Sequence, residues 1–477
     1  MVFSGLFFVF FFFVICMAVC LTRKTLKGQN IVLLVFSLLF YAWGGPVLLI
    51  LLCTVTLICW LGGRLLGRLE LQFYRKMTLI VTVAACVLIF VFFKYTNFLA
   101  DTLQPLLRFE GVIPEIVLPI GISFYTFQLL SYVADVYKGD TEAQESYWML
   151  LLYAALFHQC VAGPIVRYRD VAEELKSRTV NLSDFSAGVT RFAVGLAKKS
   201  LLANPCGAIA STAWAVSGLE SASAATVILG GVFYMLQIYL DFSAYSDMAI
   251  GMGRMCGLHY CENFNYPYAS RSVTEFWRRW HMSLSSFFRD YVYIPLGGNR
   301  LGFRRQILNL LVVWTLTGLW HGASWNYVLW GLYYFVFLVL EKLLLKKEER
   351  TPLAKRILQH AGLLLVVWFG WILFYFEDFS ALGTAIAALV CGNGNPFTDL
   401  TAELLLVNNV FFLAVAVLAC TPILPFLKQR MEVLAEREPA WRSLCNGIES
   451  VAPALLLFLS FLSLIGNTYN PFLYFQF

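Results

Sequence analysis

Apolar runs follow one another along nearly the whole chain, and nothing else restricts its fold as strongly. They lie at Val2–Leu21, Ile31–Gly63, Met77–Phe93, Ile113–Val136, Trp148–Gly163, Phe185–Leu202, Ala224–Met252, Ile307–Leu340, Leu358–Phe376, Ala381–Cys391, Leu404–Phe426 and Ala452–Ile465. A helix needs roughly 20 apolar residues to cross the hydrocarbon core of a bilayer. Inside that core the backbone must satisfy its own polar groups, which a helix does within one segment. Only 13% of the residues are charged and 60% are hydrophobic, too little polar surface to cover a water-soluble body. The expected fold is therefore all-α, a polytopic helical membrane protein with about eleven spans. Several runs are short or polar, and Gly44-Gly45-Pro46 interrupts one of them. Re-entrant or broken helices are expected there, since such backbone survives at depth only where protein buries it or a cavity receives it.

Charge placement gives an orientation. Val2–Leu21 has no basic residue ahead of it and is followed by Arg23, Lys24 and Lys27, the reverse of a cleaved signal peptide. It reads as a retained span with its N-terminus outside the cytoplasm. Arg64, Arg68, Arg75 and Lys76, then Lys342–Arg356, then Lys428–Arg442 form basic loops expected in the cytoplasm. Asn97–Glu115 and Asp378–Glu403 carry little positive charge and are expected outside, as is the C-terminal stretch Asn467–Phe477. The charged segment 341–356 separates a motif-rich core, residues 1–340, from plainer C-terminal spans, residues 357–477.

Local charge points to an anionic counterpart. Between Arg271 and Arg305 seven arginines face only Glu275 and Asp290, which suits a lipid phosphate or a phosphorylated small molecule. Nothing points to nucleic acid. The twelve cysteines lie mostly inside apolar runs without a C-x-x-C pair, so neither a disulfide scaffold nor a zinc finger is expected. Cys256, His259 and Cys261 cluster, but no further group of ligands lies nearby, so they read as a turn and no metal is expected.

An ionisable side chain inside an apolar run is costly, which makes a functional role its first explanation. Of five histidines, three are so placed. His321 lies midway in Ile307–Leu340, with Gly318 and Gly322 leaving room for a substrate or another backbone to approach. Its ordinary pKa near ~6.5 suits a general base on a hydroxyl, although a histidine bridging two helices would also account for it. His281 follows Ser272 and Glu275, an S-x-x-E capping box that starts a helix. Trp277, His281, Leu284 and Phe288 fall on one stripe of that helix, Arg278 and Arg279 off it, which predicts an amphipathic interfacial helix with His281 turned inward. For His158, before Gly163-Pro164, capping and function both remain open. His259 and His360 read as loop or helix-end residues.

Asp241 and Asp247, with Ser243 and Ser246, place polar groups inside an apolar run, which demands a partner or a watery path. Asn263 and Asn265, in Glu262-Asn-Phe-Asn265, supply amides able to donate to a carbonyl oxygen. No G-x-S-x-G elbow, Walker loop or H-E-x-x-H is present, and Gly251-Met-Gly253 lacks the third glycine of a dinucleotide site.

Taken together, Ile120–Phe127, His158–Pro164, Asp241–Asp247, Glu262–Asn265, Phe276–Leu284, Arg289–Arg300 and Gly318–Gly322 resemble the membrane-bound O-acyltransferase superfamily. They look most like its bacterial branch of alginate O-acetyltransferase membrane subunits, and the likeness runs from the N-terminus to about Tyr375. The resemblance implies a helical membrane core around a central tunnel, with His321 as catalytic histidine and His281 as the second motif histidine. It implies transfer of an acetyl or other acyl group from a cytoplasmic thioester, such as acetyl-CoA, to a hydroxyl of an extracytoplasmic polysaccharide or cell-wall polymer. No bound cofactor is implied. A separate extracytoplasmic acetyltransferase or esterase-like partner would complete the modification, and the chain would lie in the bacterial inner (plasma) membrane among its lipids. Asn263, Asn265, Arg278, Arg279, Trp320 and Asp241 are the candidate substrate-binding residues. The competing class is a transporter or flippase of a lipid-linked saccharide, with the same polar residues lining a path.

Overall fold

The computed structural model describes residues 3–107, 114–161, 163–344, 352–466, 470 and 473. The centre of the expected basic loop (345–351) and most of the expected extracytoplasmic C-terminus lie outside the described residues. The described chain is helical, with no strand among the described residues. Among the described residues seven helices are long and apolar enough to cross a membrane: Pro46–Arg68, Gln72–Leu107, Ala224–Met255, Trp325–Leu344, Leu353–Tyr375, Leu400–Ala419 and Pro439–Gly466. Other apolar runs fold as shorter helices, among them Leu26–Ala42 and Phe379–Leu389. The chain is a multi-pass helical membrane protein.

Two compact units interleave along the sequence. The first comprises Met1–Phe192, Ser246–Glu262 and Ser286–Val292. Gly45, at a φ of +145°, breaks Leu26–Ala42 from Pro46–Arg68 as the Gly-Gly-Pro run predicts, with Pro46 in the first turn. Within this unit the run Trp148–Gly163 does not form one span. It divides into Tyr147–Ala155 and the single turn Phe157–Cys160, and its described residues from Leu150 on are buried.

The second unit comprises Ala193–Tyr245, Asn263–Ser285 and Tyr293–Phe477. Its core is aromatic: Trp214, Trp280, Trp330, Trp371 and Tyr334 are all fully buried. The run Ile307–Leu340 is a hairpin of Phe303–His321 and Trp325–Leu344, so His321 closes a helix instead of lying in the middle of one. Gly318 and Gly331 are where these two helices meet. A Cβ on Gly318 would strike the Tyr327 carbonyl, and one on Gly331 the Trp314 carbonyl, so the backbones touch where only glycine fits. Of the two approaches that the glycines beside His321 permit, it is Tyr327 that fills the space next to Gly318 and Gly322.

Candidate active site

Backbone breaks position both histidines. Ser272 starts the predicted helix, its hydroxyl accepting from the Glu275 N–H at 3.1 Å, while the Glu275 carboxylate accepts from the Arg271 N–H at 2.9 Å. That helix ends after seven residues, at Arg279, and a second begins at Met282. The single amphipathic helix expected through His281 is thus corrected to two short ones, with His281 between them at a φ of +43°. The physical reason is competition for backbone hydrogen bonds. The segment Asn263–Asn265 lies against the break, where the Asn265 N–H donates to the Arg279 carbonyl and the Met282 N–H to the Asn263 carbonyl, each at 2.9 Å. These bonds replace the i→i−4 ladder that a continuous helix would need.

The break turns His281 inward after all, since its residue is only 1% exposed. Asn263, fully buried, sets its side-chain oxygen 3.1 Å from His281 Nδ1, and Ser283 Oγ–H donates to the same oxygen at 2.8 Å. Phe242 packs edge-on to the His281 ring with centroids 4.7 Å apart. His321, 7% exposed, is ringed by Trp320, Trp330 and Phe374 at centroid distances of 5.1, 5.0 and 5.3 Å, all edge-on. Trp320 also meets His281, at 5.7 Å. One indole therefore touches both imidazoles, and residues 40 positions apart form a single buried centre walled by aromatic rings. An imidazole pair so enclosed can exchange protons with a substrate hydroxyl in surroundings from which bulk water is excluded.

Comparison with known proteins shows the family of the chain. The family model for MBOAT, the membrane-bound O-acyltransferase family, matches residues 146–382. The probable alginate O-acetylase of Azotobacter vinelandii is 36% identical over the whole of both chains. The chain belongs to the membrane-bound O-acyltransferase family. It is an O-acyltransferase by that membership. A peptidoglycan O-acetyltransferase of Helicobacter pylori is 27% identical over 93% of this chain and 91% of its own. A teichoic acid D-alanyltransferase of Bacillus subtilis is 28% identical over 55% of this chain and 68% of its own.

The matched O-acyltransferase segment holds every candidate site residue, but they do not converge. His281, His321, Trp320 and Asn263 meet. Asn265 is exposed. Arg278 is exposed, and Arg279 is paired with Glu275 at 2.7 Å. Asp241 is bound to Lys199, with Nζ 2.7 Å from the carboxylate and both residues 1% exposed, and it also accepts from the Leu473 N–H at 3.1 Å. In the first unit Asp247 pairs with Arg191 at 2.6 Å, and Arg191 also holds Glu262. His158 in that unit is buried against the Tyr260 hydroxyl, 2.7 Å from Nδ1.

Two participants escaped the sequence reading. Lys199 sits inside the apolar run Phe185–Leu202, and a lysine in such a run is itself a signal that a buried acid awaits it. It rides on a π-helical turn, Lys198–Ala203, a distortion frequent at functional sites. Ser283 had no such signal, because only the break at His281 turns its hydroxyl toward Asn263.

Proposed function

We propose that this O-acyltransferase takes an acetyl group from a cytoplasmic thioester, acetyl-CoA being the simplest, and transfers it to a hydroxyl of an extracytoplasmic polysaccharide or cell-wall polymer. The observation that carries the reading is the buried pair His281 and His321 with Trp320 against both rings. The activities for which the relatives are named support the acetyl group and a polymer acceptor.

In this reading His321 removes the proton as the hydroxyl oxygen attacks the acyl carbonyl carbon. The carbon–sulfur bond then breaks, and the proton passes from the imidazole to the departing thiolate. A general base of this kind is worth a factor of roughly 10² to 10⁴. The aromatic walls serve the reaction by keeping out water, which would otherwise take the acyl group. Arg278 is the better suited of the two arginines to meet the donor's phosphates, because Glu275 already engages Arg279. A tunnel joining the two membrane faces completes the proposal, with the bacterial inner membrane as its location; in a route through a secreted esterase-like partner, a hydroxyl of that partner takes the acetyl group first and the partner passes it to the polymer.

The test is thiol release from acetyl-CoA by the purified protein in nanodiscs, with a mannuronate oligosaccharide as acceptor. His321→Ala is expected to lower turnover by about 10²- to 10⁴-fold with unchanged thermal unfolding. Near-normal turnover in the variant removes His321 from the mechanism. A wild-type protein that moves the oligosaccharide across a bilayer without consuming donor would be a transporter.

A further inference from the structure

Buried polar atoms around His281 determine which of its nitrogens carries the proton. The Ser283 backbone N–H lies 3.3 Å from the Asn263 side-chain atom assigned as Oδ1. A backbone N–H can only donate, so that atom is the amide oxygen and the Asn263 amide has a single allowed orientation. The Ser283 hydroxyl, 2.8 Å away, donates to the same oxygen. His281 Nδ1 faces this oxygen at 3.1 Å. An amide oxygen only accepts, so the neutral ring holds its proton on Nδ1 and keeps the Nε2 lone pair for whatever approaches.

The backbone reinforces the arrangement. The left-handed φ of His281 and the Met282 N–H bond to the Asn263 carbonyl hold the imidazole and the amide in register from both ends. Asn263 and Ser283 are themselves 0% and 4% exposed, so their orientation does not compete with water.

We propose that Asn263, locked by Ser283, is a positioning residue that holds His281 in its Nδ1–H tautomer, so that His281 presents Nε2 to the centre as a hydrogen-bond acceptor beside the base His321. This rests on the acyl-transfer reading of the same centre and sharpens it. A neutral imidazole with its proton turned toward Asn263 has none on Nε2 to give to an acyl carbonyl, so carbonyl polarisation falls to other groups. Asn263 correspondingly acts through His281, by way of its amide oxygen.

The first measurement requires no activity. In protein labelled with ¹⁵N-histidine, the five imidazoles give separate nitrogen pairs, and His281→Gln identifies the pair of interest by its disappearance. The expected pattern for His281 is a protonated Nδ1 and an unprotonated Nε2, and the reverse pattern overturns the proposal. The second measurement is kinetic. Asn263→Leu keeps the volume but removes the acceptor. It is expected to lower kcat for thiol release from acetyl-CoA by roughly 10- to 100-fold, the range known for losing the hydrogen-bond partner that orients a metal-ligating histidine, with KM for the donor unchanged. Asn263→Asp retains an acceptor and is expected to recover most of kcat. Full kcat in Asn263→Leu, or an equal loss in Asn263→Asp, overturns the proposal. If wild-type protein shows the Nδ1–H pattern yet consumes no acyl donor, the functional reading fails while the tautomer assignment stands.

Discussion

Lys199 and Asp241 show how much a single residue can carry inside a membrane protein. Each is 1% exposed, and the two charged groups stand 2.7 Å apart. Removing one partner of a buried ion pair typically costs 3–5 kcal/mol, whereas replacing both with apolar side chains of similar volume is often neutral. Lys199→Met is therefore expected to destabilise the protein by about 3–5 kcal/mol, and Lys199→Met with Asp241→Leu by far less. Thermal unfolding of the purified variants in detergent checks both, and a double variant no better than the single would mean that Asp241 has work beyond holding Lys199. The sequence showed that Asp241 needs a partner or a watery path, because an acid in an apolar run does. Which partner it takes follows from a helix that lies elsewhere in the chain.

Among the elements, interruptions matter more than spans. The hairpin that ends Phe303–His321 and the break at His281 are what bring two imidazoles to one indole. The capping box at Ser272 was legible in the sequence, as was the Gly-Gly-Pro break before Pro46, since both are local preferences of backbone and side chain. The break at His281 was not, because hydrogen bonds from Asn263–Asn265 create it. Another helix start can be tested directly. Asp399 caps Leu400–Ala419, accepting from the Ala402 N–H at 2.7 Å, the Thr226 hydroxyl at 2.7 Å and the Ser223 N–H at 3.1 Å. Burial by itself would raise the Asp399 carboxyl, but these donors outweigh it and hold the group below the ordinary aspartate range. Its folded-state pKa being depressed, its contribution to stability is complete above the unfolded value near ~3.9 and disappears as pH falls through the folded one. Asp399→Ala is expected to cost about 1 kcal/mol at neutral pH. The gap from wild type should narrow below about pH 4, as denaturation measured across that range would show. A pH-independent gap would assign the effect to packing.

On the scale of the whole molecule, the apolar side chains that a soluble protein would hide are turned outward. Leu88 on Gln72–Leu107 and Phe411 on Leu400–Ala419 are 69% and 86% exposed, as expected of lipid-facing surfaces. The basic loops predict an orientation, with Arg68 and its neighbours expected in the cytoplasm and the Asp378–Glu403 segment outside. Cys391 is an exposed thiol in the latter segment. A membrane-impermeant maleimide applied to intact cells is expected to label Cys391 but to spare a cysteine introduced at exposed Glu70, between the first two long spans, until the cells are permeabilised. The opposite pattern would invert the topology and with it the side from which the donor is taken.

Composition and run length by themselves determined that this chain is an all-helical membrane protein. The cost of unsatisfied backbone groups in hydrocarbon leaves no other solution for such runs. The spacing of motif residues marked His281 and His321, since an ionisable group in an apolar run must have a reason to be there. Only the tertiary structure decided which candidates share a site. Asn263 and Asn265 are chemically identical and two residues apart, yet one is buried against His281 and the other is exposed. The difference lies in which one faces the break between two helices, and that is a property of long-range packing that no local pattern encodes.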